Sequence, residues 1–175
     1  RFSLLCIIFF SCSNNPELIK EFIETKNIPI EKIERAEIFY TENGILGVKI
    51  VANTIKRFND NQPHLVFSGG VEVTFYNDSG LVKSILISEN AEINEINRVM
   101  TASNNIVLTS SKGNKLETEE LIWSEKNNKI YTDKKVLITT NKEVIEGIGF
   151  ESNSDFSEYS VSKIHGTFNF ETSTE

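Results

Sequence analysis

The densest group of chemically capable side chains is Glu117, Glu119 and Glu120. Crowded carboxylates bind cations or act as the paired acids of a glycoside hydrolase. Strand alternation sets Glu117 and Glu119 on one face beside Lys115 and Thr118, and a solvated face accounts for that pattern better than a catalytic pair. His64 follows Pro63 and precedes Leu65-Val66-Phe67, a position that suits a turn better than a general base. His165 is remote in sequence, and neither histidine has a ligand-spaced neighbour, so no metal centre is expected. Gly147-Ile148-Gly149 lacks the third glycine and following helix of a dinucleotide fingerprint and instead marks a bulge or close strand approach. No G-x-S-x-G elbow precedes a helix, and nothing joins a nucleophile to a base. The chain is read as a non-enzyme without a cofactor.

The chemistry closest to a recognisable signal lies at the N-terminus. Leu4 to Phe10 is an apolar run following Arg1, far short of the ~20 residues that span a bilayer, and it reads as a signal peptide. It ends at Ser11-Cys12-Ser13, with a small residue before the cysteine and polar turn formers after it, an arrangement similar to a bacterial lipobox. Cys12 is therefore assigned as a lipidation site, against the alternatives of a plain signal peptide or the tail of a longer membrane helix. Two or three acyl chains, at ~0.8 kcal/mol per buried methylene, would make attachment to a membrane effectively permanent. Cys6 and Cys12 are the only cysteines, so the body has no disulfide and no thiolate metal site.

The body has to be built from 175 residues with a net charge of −7, enough for one sizeable core and repulsive toward nucleic acid phosphates. No nucleic acid partner is expected. Residues 1–12 form the signal segment, 13–35 a polar tether with a short helical patch at Leu18-Ile19 and Phe22-Ile23, 36–170 the folded domain, and 171–175 a flexible tail. From Ala36 onward, short stretches rich in Val, Ile, Phe, Tyr and Thr alternate with Asn, Asp, Gly, Ser and Lys. Asn43-Gly44 and Asn77-Asp78-Ser79-Gly80 are hairpin turns, Ser111-Lys112-Gly113-Asn114 joins two strands, and Asp133-Lys134-Lys135 separates two more. The last strands are read as Phe156 to Val161 and Ile164 to Phe170. Val73 to Ile87, Val107 to Leu121 and Val136 to Phe150 form a weak repeat of strand, turn and strand roughly thirty residues apart. Hairpins without crossover helices specify an all-β fold of two facing antiparallel sheets.

Gly70 to Asn77, Val107 to Trp123, Lys129 to Val136 and Ile145 to Ser152 together resemble the LptC family of lipopolysaccharide export, and more distantly the LptA/OstA domain. The resemblance spans about residues 36–168 and specifies architecture rather than catalytic residues. It implies an open antiparallel β-jellyroll whose groove takes the acyl chains of lipopolysaccharide from an inner-membrane ABC transporter and passes them to an LptA-like jellyroll pairing edge to edge. It also implies a periplasmic body held at the inner membrane, although family members commonly use an N-terminal transmembrane helix where Cys12 here suggests a lipid. Alternation nominates Val71, Val73, Phe75, Ile85, Ile87, Ile106, Leu108, Val136, Ile138 and Phe150 for the groove, with Trp123 either lining it or lying in the core. Glu37 and Phe39 mark the candidate edge toward the transporter, and Ile164 and Phe168 the edge toward the next jellyroll. The rival readings are a structural or glycan-binding β-sandwich with a filled core.

Overall fold

The structure is a computed structural model that describes residues 28–59 and 63–165. Ten antiparallel strands follow in chain order: β1 Glu31–Glu42, β2 Ile45–Arg57, β3 Leu65–Tyr76, β4 Val82–Ser88, β5 Asn90–Asn94, β6 Val99–Ser110, β7 Lys115–Ser124, β8 Lys129–Thr139, β9 Val144–Asn153 and β10 Tyr159–His165. They form one sheet in the order β1-β2-β3-β4-β6-β7-β8-β9-β10, with β5 continuing β4 and pairing with β3 and β6. With β4 and β5 taken as one interrupted strand, each strand thus pairs with its neighbours in sequence. The sheet ends at β1 and β10.

The two facing layers expected from the sequence are two leaves of this single sheet, folded along a line that crosses the strands. The fold line is written in the residues. Positive φ occurs at Arg35, Gly69, Gly70, Asn104, Asn105 and Gly149, where β1, β3, β6 and β9 cross it. Asn, and above all Gly, adopt this conformation at little steric cost. The pairing registers slip at the same places, between Ala52 and Thr54, Ser103 and Ile106, and Thr132 and Lys135. These are β-bulges, which bend a strand and re-aim its side chains.

Backbone groups freed by the bulges are paired locally, as buried polar groups must be. Gly70 N–H donates to the Glu89 carbonyl at 3.0 Å, and Glu89 N–H to the Asn104 carbonyl at 3.1 Å. The Asn105 side-chain amide donates to the Glu89 carboxylate at 2.6 Å, and Asn53 Nδ2 donates to the Gly69 carbonyl. Thr118 Oγ1 donates to the Lys135 carbonyl at 2.8 Å. At the C-terminal side a Cβ on Gly147 would lie 2.7 Å from the Lys163 carbonyl oxygen, so β10 approaches β9 closely there.

The first leaf holds β1 from Ala36, β2 to Ala52, β3 from Val71, β4, β6 from Ile106, β7 to Thr118, β8 from Lys135 and β9 to Ile148. The second leaf holds the other halves. A cross-strand row, Ile38-Ile50-Val73-Leu86-Leu108-Leu116-Ile138-Ile145, runs through eight strands of the first leaf. All but Ile38 are at most 6% exposed. In the second leaf the row Ile33-Ile55-Phe67-Ala91-Ala102-Leu121 plays the same part.

Several boundaries differ from the sequence reading. β1 begins at Glu31, so Glu31 to Arg35 are strand where a tether is expected. Asp133-Lys134-Lys135 is a bulge inside β8 rather than a turn between strands. Phe156 is not in a strand: it sits in the turn before β10, with positive φ, and is fully buried. The signal segment, Cys12, the helical patch and Phe168 lie outside the described residues.

Candidate functional site

The space between the leaves is the candidate site, and its character changes along the line where the strand ends of one leaf meet those of the other. In the middle, Phe75 of the first leaf and Trp123 of the second meet edge to face, centroids 5.4 Å apart at 81°. Such aromatic pairs contribute about 0.5–1.5 kcal/mol beyond their buried area. Phe75 is buried and Trp123 only partly so.

Toward β4 the leaves are stitched together. Ser84 Oγ donates to the Ser154 carbonyl at 2.6 Å and Lys83 Nζ to Ser154 Oγ at 3.0 Å, joining β4 to the turn after β9. That turn folds Phe156 into the interior, where its ring lies 5.4 Å from Phe150 and 5.2 Å from Tyr159. Burial works to raise the Asp155 carboxyl, but hydrogen bonds from Ser157 and the nearby Lys83 and Lys112 outweigh it and hold it below the ordinary aspartate value.

Toward β1 the leaves part. A cavity of about 310 Å³ lies between Tyr40 of the first leaf and Ile93, Glu95, Arg98, Val99, Met100, Trp123 and Glu125 of the second. Its apolar members other than Val99 come from inward positions of β1, β5, β6 and β7, and its charges come from the turns around them. Arg98 is bound by both Glu125 oxygens, one of them 3.1 Å from Nε. Arg57 lies 3.3 Å from Glu31 and 3.6 Å from Glu95. Burial raises the Tyr40 phenol above its ordinary value, Glu95 and Glu125 add to this, and Arg57 partly offsets it; the hydroxyl stays protonated through neutral pH. Trp123 Nε1 is buried with no hydrogen-bond partner among the described residues. A smaller cleft of about 100 Å³ continues along β1 past Ile38, Ala36 and Ile33.

A larger cavity, about 570 Å³, is elsewhere. Val107, Glu117, Leu137, Glu146 and His165 form one outward cross-strand row along it, so it opens on the outer face of the first leaf. Lys115 holds Glu117 at 2.8 Å and Lys134 lies 3.5 Å from Glu120, so this acidic cluster sits on a solvated face. Among the described residues no group of His, Cys, Asp and Glu has the arrangement of a metal site.

Of the groove candidates, Val71, Val73, Phe75, Ile106, Leu108, Val136, Ile138 and Phe150 all face the interior and are buried. Ile85 and Ile87 do not. Ile87 is 50% exposed and Ile85 shares its outward face, while Leu86, Ser84 and Ser88 point inward. The inner face of β4 is polar because Ser84 caps the Ser154 carbonyl and Ser88 Oγ donates to the Asn90 carbonyl at 3.0 Å. Glu37 and Phe39 lie on the outer face of β1, where Lys49 pairs with Glu37 at 2.9 Å and lies over the Phe39 ring. Ile164 is in the other terminal strand and 45% exposed. Sequence reading missed Tyr40, Ile93, Met100 and the Arg98–Glu125 pair; the continued alternation Ala36-Ile38-Tyr40 was the available signal for the first of these.

The sequence profile of a family described as lipopolysaccharide-assembly, LptC-related, matches residues 5–166, nearly the whole chain and including the apolar N-terminal run. The chain belongs to the LptC family. No curated protein matches it. LptC membership makes the chain a non-enzymatic component of lipopolysaccharide transport, a family periplasmic in location and linked to the inner membrane. It also fits the all-β architecture, a jellyroll made by folding one antiparallel sheet.

Proposed function

We propose that this LptC-family protein carries lipopolysaccharide non-covalently, its acyl chains lodging between the two leaves on their way from an inner-membrane ABC transporter to an LptA-like jellyroll. The observation that carries this reading is the unequal closure of the cleft: stitched at β4 and β9, open beside β1. The aliphatic rows behind the opening are tightly packed, so the form described is a closed one, and acyl chains enter by parting the leaves from the β1 side. Exchange of one apolar lining for another is nearly neutral per methylene, which suits a carrier driven by ATP hydrolysed elsewhere. The two terminal strands, β1 with Glu37 and Phe39 and β10 with Ile164, offer unpaired edges for strand addition by the transporter side and the next jellyroll respectively. A lipid on Cys12 holds the body at the periplasmic face of the inner membrane.

The same tight packing favours a second reading, a filled structural sandwich. Site-specific photo-cross-linking separates the two. A benzoylphenylalanine at Phe75 or Ile138 captures lipopolysaccharide in cells if the cleft carries it, whereas the same group at Ile87, on the outer face, does not. Capture at Ile87 alone, or at none of the three, favours the filled sandwich.

A further inference from the structure

The opening beside β1 is not a plain apolar slot. Its floor is Ile93 and Met100, with Val99 at the margin, and at its inner limit stands Trp123, the only tryptophan in the chain. The indole Nε1–H is buried and finds no acceptor among the described residues. Leaving a buried donor unpaired has a real cost in stability, so an orphan of this kind beside a cavity marks a place where an incoming acceptor gains most. Across the cavity Tyr40 supplies a second neutral donor, its phenol kept protonated by partial burial and by the nearby Glu95 and Glu125. Two neutral donors facing an apolar floor match an uncharged acceptor attached to an alkyl chain.

The rim supports the same choice. Its two arginines are already engaged, Arg98 by Glu125 and Arg57 by Glu31 and Glu95. Glu42 acts electrostatically on Arg98 as well. The rim is thus acidic with its cations neutralised, which disfavours a phosphate at this position and leaves anionic headgroups outside. Resting on the lipid-carrying reading above, we infer that this cavity is the portal of the cleft. In it, the carbonyl oxygen of an ester- or amide-linked acyl chain accepts hydrogen bonds from Trp123 Nε1 and Tyr40 Oη while the chain lies over Met100 and Ile93. Trp123 is then a specificity residue, distinguishing acyl chains from simple alkyl chains.

Because the chain has one tryptophan, the indole N–H gives a single resonance, which can be followed in the intact protein by heteronuclear NMR. The probes are N-dodecanoyl glucosamine and dodecyl glucoside, used below their micelle concentrations, which share a twelve-carbon chain and a neutral hexose headgroup but are linked by an amide at C2 and by a carbonyl-free acetal oxygen at C1 respectively. The amide compound should move the indole proton downfield and slow its exchange, and the glucoside should not. Trp123→Phe, which keeps the ring and removes the donor, should weaken binding of the amide about threefold to tenfold, and of the glucoside hardly at all. An identical indole response to both probes overturns the proposal, as does amide binding that Trp123→Phe leaves unchanged or weakens equally for both. Lipopolysaccharide capture at Phe75 and Ile138 with a silent indole removes the portal alone. Failure of capture together with failure of both probes to bind removes the lipid-carrying reading as well.

Discussion

The two ends of the interleaf cleft are made from the same kinds of strand and behave oppositely. At the β4 end a buried serine hydroxyl caps a backbone carbonyl, a lysine reaches across, and the turn after β9 drives Phe156 into the interior. At the β1 end the inward residues Ala36, Ile38 and Tyr40 are only partly covered, and β1 pairs with β2 alone. The difference teaches where such a sheet yields. Burial and satisfied polar groups fix one end, so any separation of the leaves begins at the other, as local opening does wherever buried contacts are few.

This contrast can be tested in order of expected effect. Phe156→Ala should cost about 3–5 kcal/mol in a urea titration, since it leaves a cavity at the fixed end. Trp123→Ala, at a partly covered site, should cost clearly less; equal losses would erase the asymmetry. Ser84→Ala should cost about 1–3 kcal/mol, because the Ser154 carbonyl loses its buried donor. Hydrogen exchange in β9 should rise in that variant while exchange in β2 does not.

A pH titration gives a smaller effect. Asp155 has its folded-state pKa held below the unfolded value, so its contribution is present above the unfolded value, about pH 4, and is lost as pH falls through the folded one. Asp155→Asn should flatten the acid limb of stability against pH and leave the neutral region little changed. The smallest effect belongs to Arg98→Gln. The Arg98–Glu125 pair is exposed, so the urea midpoint should hardly move, and any difference seen at low salt should fade at physiological ionic strength.

Much of this was legible in the residues. The Asn43-Gly44 hairpin stands as expected, with φ of 51° and 78°. The three-fold repeat corresponds to successive hairpins of the first leaf, β3 with β4, β6 with β7 and β8 with β9. What misled was the fold line. Where β8 crosses it, Asp133, Lys134 and Lys135 interrupt the alternation between Thr132 and Val136, and where β6 crosses it, Asn104 and Asn105 interrupt the alternation between Ala102 and Ile106. A reader following period two sees two short strands and a loop where one bent strand exists. The error at Ile85 and Ile87 has a different cause: on the inner face of β4 Leu86 is flanked by Ser84, which meets a backbone carbonyl of the turn after β9, and Ser88, which bonds the Asn90 carbonyl, so the run of isoleucines falls on the outer face. Phe156 was unreadable for a third reason, because its burial depends on the opposite leaf and not on any local pattern.

Pairing each strand only with strands close to it in sequence has a consequence for how the molecule is made. No segment must wait for a distant partner, so contact order is low for an all-β protein and ordering can proceed as a zipper. A polypeptide delivered thread-like, amino end leading, can add each hairpin to the one already formed, and the last turn, bearing Phe156, arrives in time to lock the finished stack.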